Sequence, residues 1–548
     1  MYSCRKRARS EDERQLDPIG VAACVDMTVL LRFVMLYYVG IAVIMNGDDS
    51  FWEDRRQEAM IPSMVDGHDI SMADLARWKV IGRAPAATPL SERLFITYFE
   101  VEKKGTLLNR AIANCKQMNS FFHQCIEFGL ATMDCVMRAV LFFGGGHFAV
   151  LDLRHWFHQL SLPRKCRRLF SFFYNRRLWE WHTWPMGFRY TPVVAQTAVC
   201  ACLREAGRRL GMSYANPEEK LPSAVMVWTN KRGRPVVIAI VWYDNIFINA
   251  SSLVVREKFV DKVQACFNET RIAVKGEIVQ TEGRVEYLGV IYQSEPGHVR
   301  WCHSPANVAR WETLRQVPAT SGRDWLERLG IINWHVRMRD LPWRTVRGLF
   351  TRIYKVVGPD PSRLDDAVSL SSEAVAAVDS WLQEACSGEM FVKQPRVFPA
   401  TRVFLATDAS DWGAGGVMLQ EVGPITLVRR PWSTDEAQLH INVKESLAAM
   451  ETIREFKKRV PEPRRITIAI DNMSAKAWLE GRALPETEIE LKVYDLLQEF
   501  EKDAIDFVWI RSADNAADRP SRNETVKVEE ASRCLELLQS QAEKRWFE

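Results

Sequence analysis

Apolar runs that end on a carboxylate constrain this chain more than any other feature. His147-Phe148-Ala149-Val150-Leu151-Asp152-Leu153 and Val236–Trp242 are short and rich in β-branched or aromatic residues, the pattern of strands buried on both faces. The first run closes on Asp152. The second continues as Val241-Trp242-Tyr243-Asp244-Asn245-Ile246-Phe247-Ile248, where two apolar stretches meet at a polar pair, so Asp244 is expected at a β-hairpin tip. A strand-end aspartate is commonplace by itself. Two of them gathered from adjacent strands repel each other unless divalent cations neutralise them. Two-cation phosphoryl transfer needs such a pair to hold ions ~3.5–4 Å apart.

Composition narrows the class. Of 548 residues, 47% are hydrophobic and 26% charged, which excludes disordered, collagen-like and low-complexity chains. The net charge of +4 gives no overall positive field, so any basic surface is local. The 12 cysteines are scattered without a CxxC pair, against a disulfide scaffold or Cys-rich zinc module and in favour of a reducing compartment. At about 150 residues per domain, the length sets an expectation of roughly three to four domains.

The N-terminal segment carries a basic cluster, Cys4-Arg5-Lys6-Arg7-Ala8-Arg9, that reads as a nuclear address, a nucleic-acid patch or a solvated tip. An apolar run from Val21 to Met45 follows. Asp26 and Arg32 interrupt it, and the clean stretch Phe33–Met45 has only 13 residues, nearer to a buried helix or a signal-like core than to a membrane span. A membrane role is not expected, and the location expected is the nucleus or cytoplasm.

From Leu94 the texture becomes short β-rich runs separated by turns and helical stretches. Residues 211–235 are rich in Pro, Gly and charge and read as an inserted loop. Residues 303–395 are helical in pattern, broken at Gly358-Pro359-Asp360-Pro361. A second alternation of strands and helices runs from Val403 to Arg522, with a turn at Pro461-Glu462-Pro463, and a charged amphipathic helix ends the chain.

Several blocks together resemble reverse transcriptases. Asp152-Leu153-Arg154-His155-Trp156-Phe157, Trp184-Pro185-Met186-Gly187-Phe188-Arg189-Tyr190-Thr191-Pro192 and Tyr243-Asp244-Asn245 are similar to successive palm motifs. Phe99–Lys104 and Arg110–Asn119 look like fingers motifs, and Lys275 and Glu286-Tyr287-Leu288-Gly289-Val290 like the end of the palm. The resemblance implies that Asp152 and Asp244 hold the cations. It also implies that Phe157 is the aromatic gate excluding a 2′-hydroxyl, and that Lys103, Arg110 and Lys275 face the incoming triphosphate. Met186-Gly187 would lie against the nucleotide. Two departures stand out: Asn245 occupies a position usually held by Asp, and Trp156 replaces a small residue.

The second alternation resembles ribonuclease H as fused to retroelement reverse transcriptases. Asp408 lies in Val403-Phe404-Leu405-Ala406-Thr407-Asp408-Ala409-Ser410-Asp411-Trp412-Gly413-Ala414-Gly415, Glu445 in His440–Ala449, Asp471 after Ile466–Ile470, and Asp518 in Asp514–Arg522. The resemblance implies that these four acids converge on two Mg²⁺ or Mn²⁺ ions that hydrolyse the RNA strand of an RNA–DNA hybrid. No His shortly precedes Asp518.

Other signals are weaker. The HxxH of His155 and His158 lacks a third zinc ligand at fixed spacing. Trp325, Trp334 and Trp343 read as the core of a helical bundle more than as stacking platforms, while Arg337, Arg339, Arg344, Arg347 and Arg352 suggest a phosphate-tracking face.

The chain is therefore expected to be α+β, a polymerase right hand of fingers, palm and thumb followed by an RNase H-like α/β domain. The expected divisions are an N-terminal region 1–93, fingers and palm 94–295, a helical thumb and connection 296–398, the RNase H-like domain 399–525 and a C-terminal helix 526–548. Leu329-Gly330-Ile331-Ile332-Asn333-Trp334 and Leu364-Asp365-Asp366 look like DIRS-type retrotransposons, the VIPER-like elements of trypanosomatids in particular. The implied activity is RNA-directed DNA synthesis with RNase H cleavage, using an RNA template, the RNA–DNA hybrid and deoxynucleoside triphosphates; no oligomeric state is specified. The alternative is a catalytically weakened or domesticated nucleic-acid-binding descendant, suggested by Asn245 and Trp156.

Overall fold

The computed structural model describes residues 15–16, 19, 21–52, 69–102, 108–122, 126, 128–131, 133–144, 146–339, 341, 344–357, 363–393, 402–419, 426–459, 465–479 and 504–544. Lys103, Trp343, the basic cluster at 4–9 and the turns at 358–361 and 461–463 lie outside them. The chain is a mixed α+β protein of two compact units, Met1–Pro395 and Arg396–Glu548.

The first unit is built on a six-stranded antiparallel sheet. Its order is Val279–Glu282, His147–Asp152, Asn245–Ala250, Pro235–Trp242, Val225–Thr229 and Ser213–Tyr214. The helices Thr191–Arg209 and Leu253–Thr270 pack on each other and on this sheet. The cluster they form takes Ala149 and Leu151 from one strand, Leu153 just past its end, and Ile246, Ile248 and Ala250 from the neighbouring strand. Side chains alternate across a strand, so Asp152 and its cross-strand partner Asn245 project from the opposite face. On that face the buried Asn249 amide donates to the carbonyls of Ala139 and Val140 in the helix Met133–Leu141.

One expectation needs correcting. The segment 211–235 is not simply an inserted loop, because it contains the strands Ser213–Tyr214 and Val225–Thr229. Its Pro, Gly and charge content hid the five-residue run Val225-Met226-Val227-Trp228-Thr229, which is buried beside Pro235–Trp242.

The apolar run near the N-terminus forms two helices, Met27–Tyr37 and Val39–Asn46, that share the main hydrophobic cluster with the sheet and its helices. Asp26 interrupts the run because it is the N-cap, its carboxylate accepting from the backbone N–H of Thr28 and Val29. Arg32 faces solvent. Among the described residues, no helix is long and apolar enough to cross a membrane.

Beyond the large sheet, Arg284–Tyr287, Val290–Glu295, His298–His303 and Phe391–Lys393 make a four-stranded sheet. The helices Pro305–Gln316, Gly322–Met338, Arg344–Val357 and Ser372–Cys386 bury a cluster of their own. Trp325 is buried within it and Trp334 packs at its edge. The strand Phe391–Lys393 pairs back onto His298–His303, a long-range return that a helical sequence pattern does not announce.

The second unit has five strands: Arg402–Ala409, Gly413–Leu419, Thr426–Pro431, Arg465–Ile470 and Ala504–Trp509. They are ordered third, second, first, fourth, fifth. The first three form an antiparallel meander, and the last two run parallel to the first. Leu405 and Ile468 join the cluster of the helix Ile441–Arg459, whereas Ala406 and Ala469 join that of the helix Val528–Lys544. The sheet is thus covered on both faces.

Candidate functional site

The first unit gathers its acids by strand pairing. Asn245 opposes Asp152 across the antiparallel pair, and Trp242 opposes Asn245 across the hairpin. Tyr243 and Asp244 are therefore the two-residue turn, and Tyr243 adopts the left-handed conformation with φ of +55°. The Asp244 carbonyl accepts from the Leu153 N–H at 2.8 Å, fixing the tip against the end of the first strand. Burial pushes the Asp244 carboxyl upward, and the like charge of Asp152 adds to that shift. Asn245 donates from Nδ2 to Asp244 Oδ1 at 3.0 Å. Asp152 Oδ2 accepts from Lys275 Nζ at 2.7 Å, so Lys275 sits on a carboxylate of the pair.

The surroundings of this pair are specific. Phe157 meets the Tyr243 ring edge-on, with centroids 6.1 Å apart. Trp156 turns into the core: it is 2% exposed and its indole N–H donates to the Ala195 carbonyl. It does not crowd the acids. Gly187 has φ of +112°, and a Cβ there would lie 2.2 Å from the Ala113 carbonyl oxygen, so the close approach it permits is to the strand Leu108–Asn114. Ala113 N–H donates to the Met186 carbonyl. Arg110 is exposed on that same strand, and among the described residues no hydrogen bond or ion pair joins it to Asp152 or Asp244.

Two glutamines were not anticipated. Gln196, fully buried in the helix Thr191–Arg209, accepts from the Tyr243 N–H at 3.0 Å and donates to the Val241 carbonyl at 2.9 Å. It clamps the hairpin that carries Asp244. Gln159 donates to the carbonyls of Arg154 and Ala273 and accepts from the Ala273 N–H, tying the loop after Asp152 to the segment that carries Lys275. The available signal was an amide set among small apolar residues, Val193-Val194-Ala195-Gln196. His158 is buried and bonds Thr183, with burial holding its imidazole down to about 3.

In the second unit, Asp408, Glu445 and Asp471 present ligand atoms all within 4.8 Å of one another. Asp408 comes from the end of the first strand, Glu445 from the start of the helix Ile441–Arg459, and Asp471 follows Arg465–Ile470. Burial pushes Asp408 up to about 7, with Asp471 and Asp518 adding like-charge repulsion. Glu445 is pushed up to about 9, by burial first and then by Asp408 and Asp471. Among the described residues its Oε2 is buried without a hydrogen-bond partner. A buried, unpartnered carboxylate oxygen beside two further carboxylates is the donor set of a hard divalent cation, so the residues fit Mg²⁺ or Mn²⁺.

Asp518 stands apart from that triad. It starts the short helix Asp518–Ser521, acts electrostatically on Asp408, and is ion-paired with Arg522. Gly415 makes this arrangement possible. It opposes Asp408 across the strand pair, and a Cβ on it would lie 2.2 Å from Ser521 N. Asn515, unanticipated, donates to the Thr407 carbonyl and accepts from Ala517 N–H, fixing the turn before Asp518. Trp509 donates its indole N–H to the Asp471 carbonyl at 2.9 Å.

Comparison with known proteins bears on this unit directly. Residues 399–500 match the family model described as the RNase H-like domain found in reverse transcriptase. That stretch of the chain is therefore similar to an RNase H-like domain of that kind. No curated protein matches the chain in sequence. Among solved structures, the foamy viral protease-reverse transcriptase dRH in complex with double-stranded DNA is 12% identical with a TM-score of 0.43, over 91% of this chain and 84% of that one. The same foamy viral enzyme in complex with dsDNA gives 12% and 0.43 over 90% and 98%. In complex with RNA/DNA hybrid it gives 11% and 0.45 over 90% and 64%.

Proposed function

We propose that this chain is an RNA-directed DNA polymerase with RNase H activity, encoded by a DIRS-type retrotransposon of the VIPER-like group. The observation that carries the reading is the gathering of Asp408, Glu445 and Asp471 within 4.8 Å, inside the segment that matches the reverse-transcriptase RNase H family. The strand-paired Asp152 and hairpin-tip Asp244 support the polymerase half. Fingers and palm are assigned to 94–295, thumb and connection to 296–398, RNase H to 399–525 and an appended helix to 526–548.

In DNA synthesis, a primer 3′-hydroxyl, losing its proton, would attack the α-phosphate of a deoxynucleoside triphosphate beside Asp152 and Asp244, the residues assigned to hold divalent cations, as the bond to the β-phosphate breaks and pyrophosphate leaves. Phe157, braced on Tyr243, would exclude a 2′-hydroxyl. Lys103, Arg110 and Lys275 are assigned to the triphosphate, with Met186-Gly187 alongside. In the second unit Asp408, Glu445, Asp471 and Asp518 would hold Mg²⁺ or Mn²⁺. When bound, the cation supplies positive charge that offsets the carboxylates and the phosphodiester and acidifies water. Before it binds, the raised Asp408 and Glu445 hold protons near neutral pH, so loading the site releases them.

The test is Mg²⁺-dependent extension of oligo(dT) on poly(rA), together with cleavage of the RNA strand of a hybrid. Asp152→Asn is expected to abolish extension and leave cleavage; Asp408→Asn should do the reverse. A second reading, a weakened binding protein descended from such an enzyme, is favoured by Asn245, which lacks the formal charge of an aspartate. It predicts cleavage without extension in the unmodified chain. Trp156, packed in the core, no longer argues for it.

A further inference from the structure

The fourth acid of the second unit already has a cation. Asp518 Oδ1 accepts from Arg522 Nε at 3.3 Å and from Nη2 at 2.9 Å. The same guanidinium feels the charge of Asp408, and Asp408 in turn feels both Asp518 and Arg522. Arg522 therefore lies against the acid cluster, while the three acids whose ligand atoms converge do so without Asp518. Glu445 Oε2 is buried beside them and, among the described residues, unpartnered. Both members of the pair are open to water, with side-chain exposures of 59% and 39%. An exposed pair of this kind is weak, roughly 1.5- to 5-fold in an equilibrium, so it can be exchanged.

We propose that Arg522 is an internal counter-ion that competes with the divalent cation for Asp518, and that Asp518 joins the other acids only when Arg522 lets go. Three carboxylates crowded together gain from a fourth ligand once a divalent ion is present, and that ion repels the guanidinium. The released side chain is planar, permanently charged and carries five donors, a group suited to a nucleic-acid phosphate. Cation loading and strand capture are thereby coupled: the charge that leaves Asp518 becomes available to the phosphodiester that the cation requires. Lys275 on Asp152 is the same arrangement in the first unit. The inference rests on the reading of Asp408, Glu445 and Asp471 as a divalent-cation site.

The experiment is calorimetric titration of the full chain with Mn²⁺ at fixed pH and without nucleic acid, in an Asp152→Asn/Asp244→Asn background that silences the first unit's acids. Arg522→Gln is expected to tighten Mn²⁺ by roughly 1.5- to 5-fold, the strength of an exposed ion pair. Arg522→Lys, which keeps the charge, should stay nearer the parent. In an Asp518→Asn background, Arg522→Gln should lose the effect. Hybrid cleavage by Arg522→Gln should show a raised KM for the nucleic acid despite the tighter cation. Mn²⁺ affinity unchanged or weakened by Arg522→Gln, with binding still abolished by Asp408→Asn, overturns this inference alone. No Mn²⁺ binding in the parent overturns it together with the reading of the acid cluster.

Discussion

Gln196 and Gly415 show how single residues set the two acid clusters. Replacing Gln196 with Leu removes the partner of the half-buried Tyr243 N–H and of the buried Val241 carbonyl. Each orphaned group costs roughly 1–3 kcal/mol. The expected outcome is a lowered unfolding temperature and a loss of primer extension larger than any loss of hybrid cleavage, since the clamp holds the hairpin of Asp244. Gly415→Ala should have the converse profile. Its Cβ would meet backbone of Ser521 and Ala517, which cannot swing aside as a flexible side chain can. Overpacking of this sort costs about 1–3 kcal/mol, and hybrid cleavage should fall while extension persists. Both assays on both variants check the pair. The acids themselves were legible in the sequence because each closes an apolar run or opens a helix. Gln196 was not, because an isolated amide in a helical stretch has no periodic signature until its partners are known.

At the scale of elements, the N-terminal helices carry the most consequential difference. The apolar run Val21–Met45 has the length of a buried helix, yet nothing in it names what it is buried against. The structure sets it on the helix Thr191–Arg209, with Leu30, Val34 and Tyr38 inside the cluster that supports the central sheet. Leu30→Ala is therefore expected to destabilise the first unit by about 2–5 kcal/mol, read as a drop in its unfolding transition with the second unit's transition unmoved. If Leu30 served only a detachable N-terminal module, primer extension would survive the substitution at temperatures where the parent is active. The sheet-to-helix junction near His303 was equally invisible. His303 Nε2 and His335 Nδ1 share a hydrogen bond of 3.0 Å, and His335 Nε2 faces Glu384, which Arg339 also pairs. His303, His335 and Glu384 are distant in sequence and meet through packing alone.

For the molecule as a whole, the buried titratable groups give the two units opposite responses to pH. In the first unit burial holds His158 and His303 down to about 3, and His182 and His335 down to about 4, from an ordinary 6.5. The unfolded chain then binds more protons than the native one as pH falls from about 6.5 toward 4. This stability is present above 6.5 and lost on acidification. In the second unit Asp408 is raised from 3.8 to about 7 and Glu445 from 4.5 to about 9. Here the native state binds the extra protons, so without divalent cation stability is full below 3.8 and falls as pH rises through 7 and 9. Calorimetry in chelator should show the first unit's transition rising between pH 5 and 7 and the second unit's falling between pH 5 and 8. Mg²⁺ at pH 8 should restore the latter, because a ligand of the native state stabilises it.

By itself the sequence determined the alternation of strands and helices, the α+β class and the acids that end those elements, since local periodicity decides which face of an element is apolar. Only the tertiary structure decided which groups those faces and acids meet. It turned Trp156 inward, set Gly187 against Ala113, joined the N-terminal helices to the main core and left Asp518 with Arg522 rather than with the other three carboxylates. The physical reason is that burial preference is a property of a short segment. Register, close backbone approach and the choice among competing ion pairs are instead properties of segments brought together from far apart.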